Sequence, residues 1–82
     1  MTFDPDYPWV VDFPIPPLGN RDRVLLILDA ASTCKAGTKV TTHGLPEGAE
    51  VKSWFNRVWF RSEEEAERLA RAFRTIGATR IR

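Results

Sequence analysis

The feature that most constrains the fold is the abrupt change of pattern at Ser62. Residues 50–61 are rich in aromatic and β-branched side chains, which is typical of a long β-strand. Ser62 and Glu65 form a capping-box pattern, and the chain beyond them predicts an amphipathic helix that ends at Gly77. Its apolar stripe has helical spacing and consists of Ala66, Leu69, Ala70, Phe73 and Ile76. The sequence therefore predicts a strand followed directly by a helix.

The same order of elements occurs earlier in the chain. Residues 9–13 are rich in strand formers and predict a short first strand. Residues 20–34 fit either a buried strand or a helix, and the helix is favoured by one apolar face made of Val24, Ile27, Leu28 and Ala31. Residues 38–43 then predict a short polar strand, and residues 78–82 a final one. Two strand–helix–strand units follow from this pattern.

The order βαββαβ resembles the ferredoxin-like arrangement, an α+β fold with a four-stranded antiparallel sheet and two helices on one face. In that arrangement the first and third strands are central, and here they are the apolar ones, whereas the polar strands fall at the edges. The chain of 82 residues is long enough for one domain, 1–82. Its proline-rich segment, 1–19, holds five of the six prolines and contains the short first strand.

The alternation of side chains along a strand predicts which residues face the helices. The face with fewer charges should be the covered one. The inward set is Trp9, Val11, Phe13, Val40, Trp54, Val58, Phe60 and Ile81. The outward set is Val10, Asp12, Lys39, Thr41, His43, Phe55, Arg57, Trp59, Arg61, Arg80 and Arg82. The second set predicts an open sheet face that combines aromatic rings with basic groups.

This face is the candidate binding site. Its expected binding residues are Phe55, Arg57, Trp59, Arg61, Lys39, Arg80 and Arg82. Exposed Trp beside Arg is typical of protein–protein contact, either with a partner or in self-association. Rings among guanidinium groups on an open sheet also suit stacking of single-stranded RNA or DNA, and the element order and third strand resemble RNA-recognition domains. Both hypotheses stay open, with protein contact favoured, and so does a third, in which this face is mis-assigned and is simply core.

The composition argues against several other kinds of function. The chain has one cysteine, one histidine and no spaced set of ligands or nucleophile pair, so we expect no enzyme, no cofactor and no metal site. Cys34 is interpreted as a small core residue and His43 as a solvated loop residue. The net charge of +1 argues against wholesale binding to a phosphate backbone. The sequence contains no leader and no long apolar run, which predicts a cytoplasmic protein without membrane insertion.

The chain is also similar in style to small phage-borne inhibitors of the anti-CRISPR type. That resemblance rests on its size, its economical turns and the unit FRSEEEAERLARAFRTIGATRIR, residues 60–82. It implies a partner in a bacterial defence complex. The sequence therefore predicts a non-enzymatic interaction module that binds through the open sheet face.

Overall fold

The structure, a computed structural model, describes residues 3–15, 21–48 and 50–82, without the side chains of residues 46, 47, 51 and 52. Its strands are β1 (Trp9–Ile15), β2 (Thr38–Glu47), β3 (Glu50–Phe60) and β4 (Thr79–Arg80). Its helices are α1 (Arg21–Ser32) and α2 (Glu63–Ala72), and a short 3₁₀ turn covers Arg74–Ile76. The chain is a small α+β domain with one antiparallel sheet of four strands and two helices.

The strands lie in the order β2-β3-β1-β4, so the two most apolar strands occupy the centre of the sheet. β1 extends past the predicted end at Phe13 and includes Pro14. Val10 exchanges backbone hydrogen bonds with Ile81 and Arg82, so the even-numbered residues of β1 direct their polar backbone groups toward β4. Pro14 lies beyond the last pair with β4, Asp12 with Thr79, where the missing N–H costs no ladder hydrogen bond.

Residues 21–32 adopt the helix that the apolar spacing favoured. The sequence also predicts a helix cap at residue 20 and an extended connector over residues 14–17. Of these positions, 16, 17 and 20 lie outside the described residues. β2 is longer than predicted. Residues 44–48 have the glycines and proline typical of a turn. Instead, the strand continues to Glu47 and pairs with β3, with an irregularity at Leu45/Pro46. Because β2 is an edge strand, Pro46 is tolerated there.

The start of α2 confirms Ser62 as its cap, since Ser62 Oγ accepts a hydrogen bond from the backbone N–H of Glu65 at 3.3 Å. The side chain of Glu65 does not complete a capping box. Its carboxylate accepts hydrogen bonds from the backbone N–H groups of Lys35 and Ala36, at 2.8 and 3.2 Å. α2 is thereby joined to the loop before β2. The α-helix ends at Ala72, earlier than predicted, and Gly77, with φ of +93°, ends the 3₁₀ turn that follows it.

The core lies between one sheet face and both helices. Its buried members are Val11, Phe13, Val58, Phe60, Ile27, Ala31, Cys34, Ala66 and Leu69. The inward placement of the strand residues in this set is confirmed, as is the prediction that Cys34 belongs to the core. Trp54 is exposed, so its assignment to the core was wrong. Its partner on β2 is Gly44, which has no side chain to pack against it, and its partner on β1 is Ile15, the last residue of that strand.

Candidate functional site

The outer face of the sheet, opposite the helices, carries the alternate side chains of β3, among them Phe55, Arg57 and Trp59. The strand parity placed these residues correctly, but the expectation that they are open to solvent was wrong for two of them. Arg57 is buried, and only 6% of Trp59 is exposed. The outer face is therefore divided into a covered part and an open part.

Residues 3–7, which we term the strap, cover Trp59. The ring of Phe3 meets the Trp59 indole edge-on, with centroids 6.1 Å apart and an interplanar angle of 62°. Lys39 Nζ lies 4.6 Å from the centroid of the same indole, in cation–π geometry. The indole N–H donates a hydrogen bond to Thr41 Oγ1 at 3.0 Å, so its polar atom is satisfied. Trp59 is thus packed as in a small second core.

Charged contacts hold the strap on β2 and beside β3. Lys39 Nζ donates to Asp4 Oδ2 at 2.7 Å. This hydrogen bond, followed by one from the backbone N–H of Asp6, lowers the pKa of Asp4 below its usual value. The ring of Tyr7 contacts two cations, with its centroid 5.2 Å from Lys39 Nζ and 4.7 Å from the Arg61 guanidinium carbon. The guanidinium of Arg82 lies over the ring of Phe3 at 4.9 Å.

The local sequence explains the shape of the strap. Asp4 Oδ1 accepts a hydrogen bond from the N–H of Asp6 at 2.9 Å, and the Asp4 carbonyl accepts one from the N–H of Tyr7 at 3.1 Å. An Asp followed by Pro at the second position is a common turn sequence, because Asp bonds to the backbone two residues on and Pro fixes φ. The turn directs Phe3 and Tyr7 to the sheet.

An ion pair separates the covered part of the outer face from the open part. Arg57 Nε donates to Asp12 Oδ1 at 2.7 Å, and the terminal nitrogen Nη2 donates to Oδ2 at 2.8 Å. The pKa of Arg57 is raised, chiefly by the hydrogen bond to Asp12. Such bidentate pairing satisfies both charges within the sheet. Arg57 is therefore part of the floor of the face.

The open part is an apolar groove of about 470 Å³ between the end of β2 and β4. It is lined by Asp12, Pro14, Leu45, Phe55, Arg57, Gly77, Thr79 and Ile81. Leu45 and Ile81 stand at its sides with 53% and 41% of their surfaces exposed. Phe55 is stacked on His43, with ring centroids 5.1 Å apart and an interplanar angle of 15°. His43 therefore lies in the strand predicted over residues 38–43, on its outward side beside a ring, and its interpretation as a solvated loop residue was wrong.

Arg80 of β4 and Ile81, the residue after it, face opposite to the prediction. Arg80 lies on the helix side, where its guanidinium donates to Glu67 and Glu63 of α2, each at 2.7 Å. Ile81, expected in the core, lines the groove on the outer face. The pairing of Val11 with Arg80 sets this register, and a shift of one residue moves every side chain to the other face. Arg80 is thus a structural residue that links β4 to α2.

The comparisons of this chain with models of protein families, with curated proteins and with solved structures give no match. The helices of the described residues include none that is long and apolar enough to span a bilayer. Within residues 3–15, 21–48 and 50–82, no three His, Cys, Asp or Glu side chains are grouped as metal ligands.

Sequence reasoning missed the strap and the groove. The sequence does contain a signal for the strap. Residues 3–7, FDPDY, are rich in acids and rings, which complement a sheet face predicted to be basic and aromatic. The groove has a weaker signal, since Pro14 and Leu45 belong to segments that were interpreted as connector and turn. Of the seven predicted site residues, the groove contains Phe55 and Arg57, and the strap contacts Lys39, Trp59, Arg61 and Arg82.

Proposed function

We propose that this domain is a non-enzymatic protein-interaction module that binds its partner through the apolar groove. The observation that carries the proposal is the exposure of Leu45 and Ile81 on either side of a floor whose charges already pair with each other. Large apolar side chains grouped at one exposed site commonly mark a contact surface. Phe55 would be the aromatic anchor of the contact.

The chemistry of the groove favours an uncharged apolar segment of a protein as the occupant. The cation among the lining residues, Arg57, is held in a bidentate pair with Asp12. A charged ligand would compete with this pair, whereas apolar side chains would cover it without breaking it. A valine-, leucine- or phenylalanine-bearing segment of a partner protein therefore fits the groove best.

Binding of single-stranded RNA or DNA stays the alternative function. The platform expected to stack bases is Trp59, which the strap covers, and Lys39 is paired with Asp4. Stacking platforms need accessible rings and cations free to meet phosphate. These contacts favour the protein-binding proposal over the nucleic-acid alternative.

Three finer proposals go with this function. A ferredoxin-like fold is supported by the central position of β1 and β3 and by the packing of both helices on one face. An inhibitor of a bacterial defence complex, as in small phage-borne proteins, would present such a compact contact surface. A reducing cytoplasm suits the buried free thiol of Cys34.

A matched pair of variants tests the proposed function. Leu45→Lys places a charge at the groove, and Leu26→Lys changes an equally exposed leucine, 50% against 53%, on α1. The natural chain and both variants are immobilised, and nuclease-treated bacterial lysate is passed over each. We expect a protein that the natural chain and Leu26→Lys retain and that Leu45→Lys loses.

The solution mass of the three proteins and a titration with labelled single-stranded oligonucleotides complete the test. A dimer that Leu45→Lys dissociates would identify a second copy as the occupant. Oligonucleotide binding that weakens steeply with salt would favour the alternative function. Equal retention of every captured protein by Leu45→Lys and the natural chain would refute the groove as the contact surface.

A further inference from the structure

The strap and the surface beneath it are chemically complementary. Four of the five strap residues are acids or rings, namely Phe3, Asp4, Asp6 and Tyr7. The surface beneath offers one ring and three cations, namely Trp59, Lys39, Arg61 and Arg82, which we term the platform. Three strap side chains, Phe3, Asp4 and Tyr7, each contact a platform group of complementary chemistry. The strap therefore occupies the platform as a peptide ligand would.

The strap is held in a way that permits exchange. Among the described residues, its backbone hydrogen bonds lie within the strap itself, from Asp6 and Tyr7 back to Asp4. Its contacts with the platform are made by side chains, and both members of the Asp4–Lys39 pair are partly exposed, at 29% and 38%. Partly exposed ion pairs and cation–π contacts are individually weak. Displacing the strap therefore breaks no strand pairing.

We propose that the platform is a second binding surface, for an acidic peptide that carries an aromatic residue, and that the strap occupies it in cis until such a peptide from a partner displaces it. This inference goes beyond the proposed function, because it concerns the other half of the outer face and an acidic ligand instead of an apolar one. The Arg57–Asp12 pair separates the two surfaces. The proposal for either surface can therefore fail while the proposal for the other holds.

The tether sets how strongly the strap competes. A segment joined to its own site acts at a local concentration in the millimolar range, which a free peptide must exceed. The apparent dissociation constant of a free peptide is therefore its intrinsic value divided by the fraction of molecules whose platform is open. Weakening the strap should raise the apparent affinity without any change in the platform.

The test uses the full chain and a labelled peptide with the strap sequence, Phe-Asp-Pro-Asp-Tyr, blocked at both ends. The double variant Phe3→Ala/Asp4→Asn loosens the strap and leaves the platform intact. Fluorescence anisotropy at low salt should give a dissociation constant for this variant at least about tenfold lower than for the natural chain. Adding Lys39→Gln to the loosened variant should reverse most of the gain, because the peptide loses its cation.

A peptide with both Asp residues changed to Asn is the specificity control and should bind the loosened variant more weakly. Equal affinity for the natural and loosened chains would overturn the proposal, as would absence of binding to a loosened chain that still unfolds cooperatively. Equal binding of the Asn peptide would overturn the acidic specificity. If the double variant does not fold, Asp4→Asn alone keeps Phe3 in place and should still give a smaller gain, whose absence counts against the proposal.

Discussion

The two halves of the outer sheet face contain residues of the same strand, β3, but differ in their exposure to solvent. One half, around Trp59, is covered by the strap and held by rings and charges. The other, around Phe55, is open, with Leu45 and Ile81 exposed beside it. Phe55 and Trp59 are four residues apart on one strand and point to the same side. The difference shows that strand parity determines the side of a residue, whereas a separate segment decides whether solvent reaches it.

The largest expected effect is a difference in stability between variants of the covered half and variants of the open half. Trp59→Ala removes a buried indole and should lower the free energy of unfolding by about 3–5 kcal/mol, as for other buried aromatic residues. Leu45→Ala should change it by less than about 0.5 kcal/mol, because Leu45 is exposed. Urea unfolding followed by circular dichroism measures both. Similar losses of unfolding free energy in the two variants would mean that Trp59 is no more buried than Leu45.

The next effect concerns the ion pair between the halves. Arg57→Met leaves the Asp12 carboxylate without its bidentate partner in a mostly buried place, and should cost about 3 kcal/mol. The double variant Arg57→Met/Asp12→Leu should recover most of that loss, since apolar replacement of both partners removes the unpaired charge. The same urea unfolding measurement applies. If Arg57→Met is as stable as the natural chain, the pair of Arg57 with Asp12 does not stabilise the outer face.

The smallest effect is the part of the pH dependence of stability that comes from the covered half. The pKa of Asp4 is lowered in the folded chain, so its pairing with Lys39 contributes stability that is present above the unfolded pKa. That contribution should be lost as the pH falls from roughly 4 through the lowered folded value. Thermal unfolding of the natural chain and Asp4→Asn over this range should differ in slope.

Glu67 has a lowered pKa for the same kind of reason, the hydrogen bond from Arg80, and Asp4→Asn leaves this contribution intact. Part of the acid sensitivity should therefore persist in the variant. Identical pH profiles for the two chains would contradict the contribution of Asp4.

The sequence predicted the parts of the fold that local patterns control. Ser62 caps α2 and Gly77 ends the 3₁₀ turn that follows α2, because both functions depend on nearby backbone groups. The inward side of β3 followed from its charges, and Val58 and Phe60 are buried as expected. These elements carry their own signals, so no knowledge of distant contacts was needed.

The errors have a common physical source in contacts between distant segments. Arg80 and Ile81 lie on faces opposite to those predicted because the pairing of Val11 with Arg80 fixes the register, and residues 78–82 are too short to reveal it. The burial of Trp59 depends on a segment more than fifty residues earlier in the chain. The sequence predicted no contact for residues 3–7 of the proline-rich segment, whereas their acids and rings have partners on the sheet.

The most direct test of the account is the relaxation of side-chain protons by a neutral soluble gadolinium chelate, measured by NMR on the natural chain. We expect strong enhancement at the methyl groups of Leu45 and Ile81 and weak enhancement at the indole ring of Trp59. Strong enhancement at Trp59, equal to that at Leu45, would show that the strap does not cover it and would contradict the division of the outer face.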